Sequence, residues 1–226
     1  MFQTSQPGVR SIYKAAAAEM QAAGISLQTA ILTQSELRSE IPLSAGTTQY
    51  QVPILINSNP YQVGTYTTEK RLQLQDAFLV GSFAMYLAVP TGAGDYAFAL
   101  TTYPSLLSGF TAAQQRDMNA LYNGYMSLTV SQKVLIPYWD LWKHYKVNQT
   151  QANVGVTAQT VFPIDETDLT TDGFYPVEPN IVHIGSTNIN MVLNLPQAIA
   201  AFPTNTRVVI LQRGVLAQNV TSVTNN

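Results

Sequence analysis

A general base for nucleophilic catalysis would have to be one of two histidines, His144 or His183. In a Ser/His/Asp arrangement that imidazole takes the hydroxyl proton while a carboxylate holds its tautomer. Neither histidine lies in such a setting: the chain has no Gly-x-Ser-x-Gly, no His-Glu-x-x-His and no phosphate-cradling glycine loop. His144 sits among aromatics and His183 in a strand-like run, which favours structural, partly buried roles. Carboxylates gather at Asp165, Glu166, Asp168 and Asp172. They would offer oxygen ligands to a hard cation, but their spacing departs from the alternating ligands and terminal glutamate of an EF-hand, so a solvated turn is the plainer reading. With no cysteine in the chain, thiolate nucleophiles, disulfides and cysteine-based metal sites are excluded. The expectation is a protein that is not an enzyme, with no catalytic residues, cofactor or metal.

The segment Pro137-Tyr138-Trp139-Asp140-Leu141-Trp142-Lys143-His144-Tyr145 holds both tryptophans. Proline at its start and the spacing of Tyr138, Leu141, Trp142 and Tyr145 predict a short amphipathic helix. Trp139 and Trp142 would serve as core, as anchors on a protein interface, or as a stacking platform for sugar rings. Charges concentrate around Glu36 and Arg38 and around Glu69 and Arg71. These four would form cross-strand or intersubunit ion pairs that fix register, or line a solvated strand edge that discourages unwanted pairing. The sequons at Asn148 and Asn219 are short enough to occur by chance.

Charged residues make up 11% of the 226-residue chain, against about 25% in ordinary soluble domains. Lys and Arg number 11, Asp and Glu 13, and the formal charge is -2. No basic field exists to draw in nucleic acid or an anionic membrane, so generic nucleic-acid binding is not expected. Thr, Gln, Asn and Ser replace the missing charges, and 46% hydrophobic residues suffice for a core. The N-terminal stretch carries Arg10, Lys14 and Glu19 among its alanines, unlike a secretory signal, and is expected to be mature, non-exported sequence. The longest apolar run, Ala77 to Pro90, falls short of the roughly 20 residues that cross a bilayer as a helix. It predicts a buried element, and no transmembrane segment is expected.

Two segments read as helices. Ser11 to Ala23 is alanine-rich and stops at Gly24, where a left-handed cap is expected. Thr111-Ala112-Ala113-Gln114 forms a capping box ahead of Met118, Leu121 and Tyr122, and Asn123-Gly124 ends that helix. Elsewhere, period-two alternation predicts strands at Gln49 to Ile56, Met126 to Val130 and Asn188 to Leu195. Phe78 to Val89, apolar at consecutive positions, predicts a central strand covered on both faces, with Tyr96 to Tyr103 and Arg207 to Arg213 as neighbours. Many strands and few helices point to a mainly β fold, an antiparallel β-sandwich of jelly-roll type with an N-terminal helix and short inserted helices. Two small stacked jelly rolls are the alternative. The division expected is an N-terminal helical arm over residues 1–25 and a sandwich over 26–226, with a possible subdivision near 111–124.

Several phrases spread along the chain, LQTAILTQSELRSEIPL, TEKRLQLQDAFLVGSFAMYLAVP, LYNGYMSLTV, PNIVHIGSTNINMVLNLP and VVILQRGVLAQN, together with the N-terminal helix, resemble jelly-roll-type capsid proteins of bacteriophages. The resemblance implies a self-assembling capsid shell component, made in the host cytoplasm and resident in the virion. Its partners would be copies of itself and other virion proteins. Terminal arms of such proteins reach neighbouring subunits, so the resemblance makes Ser11, Tyr13 and Lys14 on the first helix, and the tail from Gln218 to Asn226, interface candidates beside Glu36, Arg38, Glu69, Arg71, Trp139 and Trp142. A genome-lining shell often carries a basic arm, and Arg10 with Lys14 hardly makes one, which leaves an outer, minor or decorating role open. The alternative function is a carbohydrate-binding β-sandwich, an adhesin or fibre-tip module built on Trp139 and Trp142.

Overall fold

The computed structural model describes residues 7–52, 54, 72–89, 100–101, 111–144, 173–203 and 205–222. Along the chain these form α1 (Pro7–Ala22), β1 (Ile25–Ser26), β2 (Ile31–Pro42), β3 (Gln49–Val52), β4 (Ala77–Ala88), β5 (Leu100–Thr101), α2 (Ala112–Tyr122), β6 (Tyr125–Val130), β7 (Lys133–Asp140), a 3-10 turn (Leu141–His144), β8 (Tyr175–Ile184), β9 (Ile189–Asn194), β10 (Arg207–Gln218) and β11 (Thr221–Ser222). The protein is mainly β, with two larger antiparallel sheets. The first runs β2-β10-β4-β5, with β8 also paired to β4, and the second runs β3-β9-β6-β7. One core draws on both sheets: Leu37, Phe78, Val80, Phe83 and Ile210 from the first meet Met126, Leu128, Met191 and Leu193 from the second. This layering is consistent with a β-sandwich.

The double-sided apolar run at β4 is explained by what covers it. Phe78 and Val80, then Phe83, Met85 and Leu87, face the second sheet. Gly81 is the extra residue that shifts this phase, for both β10 and β8 skip it in their registers. On the outer face, Ala77 and Leu79 pack under α1, whose Ala16 and Met20 are buried against them. Farther along, Ala84, Tyr86 and Ala88 share an outer cluster with Phe174 and Val209. Gly214 on β10 lies so close to β4 that a Cβ there would stand 1.7 Å from the Leu79 carbonyl oxygen, a position only glycine can fill.

Helix α1 begins earlier than expected and ends as expected, with Gly24 at a φ of 81°. Its Glu19 carboxylate accepts two hydrogen bonds from Asn180 Nδ2, at 3.0 and 2.8 Å, tying the helix to β8. The capping box of α2 is complete: Gln114 N–H donates to Thr111 Oγ1 and Thr111 N–H to Gln114 Oε1. Met118, Leu121 and Tyr122 are buried, and Asp117 accepts from the Ala200 and Ala201 amides at 2.7 and 2.5 Å, fixing the approach to β10.

The charges near β2 lie on its outward face. Glu40 is buried, with Arg207 Nη1 at 2.6 Å and Arg38 Nε at 2.7 Å. Glu36 pairs across strands with Arg213 at 2.8 Å, in a partly exposed position, and the Arg213 guanidinium lies 3.7 Å from the Phe174 ring centroid. The cross-strand partner of Glu36 is therefore on β10, whereas Glu69 and Arg71 fall outside the described residues. Removing one member of a buried pair strands the other charge, whereas exposed pairs contribute little. Chemical denaturation should therefore find Glu40→Ala destabilising by about 3–5 kcal/mol, and Glu36→Ala by no more than about 1 kcal/mol.

Candidate interaction surface on the second sheet

The aromatic segment expected to form a helix is instead the last half of β7 followed by a single 3-10 turn. Three local causes are visible. A two-residue hairpin at Ser131 and Gln132, with φ of 47° and 69°, turns β6 back into β7. Pro137 is tolerated because β7 is the edge of its sheet. Asp140 Oδ1 then accepts the Trp142 amide at 2.9 Å, which starts the turn.

This geometry separates the two tryptophans. Trp139 faces the core and is 8% exposed. It meets Phe83 edge-to-face at 5.4 Å and donates from Nε1 to His144 Nε2 at 3.0 Å. His144 in turn lies edge-on to Tyr175 at 5.2 Å, while Lys143 Nζ stands 4.2 Å from the Trp139 ring centroid. Trp139 is thus a core residue that ties the edge strand to the first sheet. Trp142 is 47% exposed and Tyr138 59% exposed, and with Val134 and Leu135 they place four of the described exposed large hydrophobics on one short stretch. The Tyr138 ring stacks on Tyr125 of β6 at 4.7 Å, so it stands on a supported platform. Clustering of this kind marks contact surfaces more often than scattered apolar residues do.

Both histidines are buried. His144 accepts the Trp139 N–H, which puts its own proton on Nδ1. His183, on β8, lies 3.0 Å from Gln212 Oε1 on β10, to which the neutral ring donates. Burial lowers the pKa of His144 to about 4, outweighing its opposing interaction with the backbone oxygen of Gly173; it lowers His183 to about 4 as well, against the Gln212 contact. Both are neutral at ordinary pH. Among the described residues no cluster of His, Asp and Glu is arranged to hold a metal ion. The acidic stretch from Asp165 to Asp172 and the sequon at Asn148 lie outside the described residues.

The remaining candidates are scattered. Tyr13 and Lys14 are on α1, against the first sheet; Tyr13 OH accepts the Gln34 amide at 3.3 Å and Lys14 is exposed. Ser11 belongs to the same helix. Arg38 points outward on β2, engaged with Glu40. None of these adjoins the aromatic edge of β7. No helix is long and apolar enough to cross a membrane among the described residues.

The burial of both histidines fixes a sign for pH. The unfolded chain holds protons on them up to about pH 6.5, whereas the folded protein does so only below about 4. Their stabilising contribution is complete above pH 6.5 and falls as pH drops toward 4, by on the order of 3 kcal/mol for each. Urea midpoints measured across that window should fall, and His144→Gln or His183→Gln should flatten the slope. In the same assay Trp139→Ala should cost about 3–5 kcal/mol and Trp142→Ala less than about 1 kcal/mol. No protein-family model and no curated protein sequence matches the chain.

Proposed function

We propose that this chain is a virion structural protein, a self-associating shell component with a jelly-roll fold and no catalytic role. The observation that carries the reading is the pairing order. Apart from the two-residue strands β1, β5 and β11, the described residues hold eight strands, and every one pairs antiparallel in a nested sequence. The first of the eight pairs the last (β2 with β10), the second the seventh (β3 with β9), the third the sixth (β4 with β8) and the fourth the fifth (β6 with β7). That is one long hairpin. Rolled up, it brings the third strand beside the eighth and the fourth beside the seventh, the pairs β4–β10 and β6–β9. A rolled double hairpin of this kind supports the jelly-roll plan, which shells and sugar-binding domains both use.

Charge supports a role in dense assemblies. A subunit with a net charge of -2 and 11% charged residues accumulates little repulsion when many copies pack together. Apolar burial contributes about 25 cal/mol per Å² before ordering costs, so modest contacts repeated by symmetry would close a shell. The exposed pair Tyr138 and Trp142 favours a second reading, a carbohydrate-binding module in which both rings stack on sugars.

Light scattering coupled to size exclusion, with negative-stain microscopy of the same fractions, tests the two readings on untagged protein. The shell reading expects rings, sheets or closed particles that grow with concentration. Monomers at every concentration and salt, together with glycan-array binding lost in Trp142→Ala, would transfer the assignment to the carbohydrate module.

A further inference from the structure

The outer faces of the two sheets are made of different chemistry. The first carries the described ion pairs Arg38–Glu40, Arg207–Glu40 and Arg213–Glu36 and is partly covered by α1. On the second, alternation sends Tyr50, Val52, Met126, Leu128, Met191 and Leu193 into the core. The outward side chains of β3, β6 and β9 are then Gln49, Gln51, Ser127, Thr129, Asn190 and Asn194, with Tyr125 and Val192. None of these is charged. Among the described residues, Lys133 and Asp140, at the two ends of edge strand β7, are the charges nearest in register, and Asp140 is engaged by the Trp142 amide.

The face is also held in shape. Gln49 Nε2 donates to Asn194 Oδ1 at 3.0 Å, Gln51 Nε2 donates to Asn190 Oδ1, and Tyr138 stacks on Tyr125 at its rim. Amide and hydroxyl side chains each carry both donors and acceptors. Across a two-fold axis a surface meets its own image, so every charge off the axis risks a like charge nearby, whereas such side chains can pair with copies of themselves. An uncharged sheet face with its side chains already ordered bears neither repulsion nor much further entropy loss on docking. Strand addition along β7 is a poorer route, because Pro137 and two register shifts blunt that edge.

We propose that the outer face of β3-β9-β6, rimmed by Tyr125 and Tyr138, is a two-fold contact between two copies of this chain. The inference rests on the shell-component reading and names the surface through which copies meet. The chain has no cysteine, so single cysteines report without background. Ser127→Cys or Val192→Cys should yield covalent dimers on oxidation or with a short bis-maleimide, whereas Thr33→Cys, exposed on β2 of the first sheet, should not. Thr129→Glu, with circular dichroism unchanged, should weaken association at least about tenfold by setting like charges across the axis; Gln51→Glu is the second variant should that one misfold. Assemblies that persist with neither cross-linking nor any effect of the added charge would overturn this contact and leave the shell reading standing. A chain that stays monomeric throughout would overturn both.

Discussion

Strands β4 and β10 are apolar on both faces, and the rest of the molecule is arranged by the need to cover them twice. A strand pair with Phe78, Val80, Phe83 and Met85 on one side and Ala77, Leu79, Ala84 and Tyr86 on the other cannot sit at a solvated surface. The second sheet covers the inner side. The outer side is divided between α1, through Ala16 and Met20, and Phe174 held under Arg213. Two of the polar contacts admitted to this interior are Glu40 with Arg207 and His183 with Gln212, and the first matters most because an unmatched buried charge would cost several kcal/mol. Trp139 extends the same logic to the edge, carrying β7 into the core by its contacts with Phe83 and His144.

Covering β4 and β10 uses the helix and one face of each sheet, and leaves the outer face of the second sheet and its aromatic rim at the surface. The first sheet carries the ion pairs of Glu36 and Glu40, whereas the described outward side chains of β3, β6 and β9 beside Tyr138 are amides, hydroxyls and apolar groups. The proposed two-fold contact draws on this asymmetry, while the nested pairing of the eight longer described strands supports the proposed jelly-roll plan.

Much of the scaffold is legible in the sequence where local signals agree. The capping box at Thr111, the stop at Gly24 and the alternation in Ile189–Asn194 each correspond to an element, and the continuous apolar run correctly marks a strand covered on both sides. β2 is harder to read, because its inward set Leu37, Ser39, Ile41 includes a serine and its outward set includes the buried Glu40. The helix expected from Pro137 fails for a physical reason: its helical spacing competes with a hairpin whose Ser131-Gln132 turn lacks the usual Asn-Gly signature, and the edge of the sheet accepts the proline. The partners of Glu36 and Glu40, Arg213 and Arg207, lie on β10, and nothing in the spacing reveals them before the strands are paired. The split of the tryptophans into one buried and one exposed follows from the same strand assignment and could not be read from helical spacing.

A cryo-electron-microscopy reconstruction of the concentrated, untagged protein reads directly how copies of the chain meet. The proposed contact predicts repeating subunits in which the faces bearing Ser127 and Thr129 oppose each other across a two-fold axis. A reconstruction of isolated subunits, or of assemblies with that face open to solvent, would contradict it.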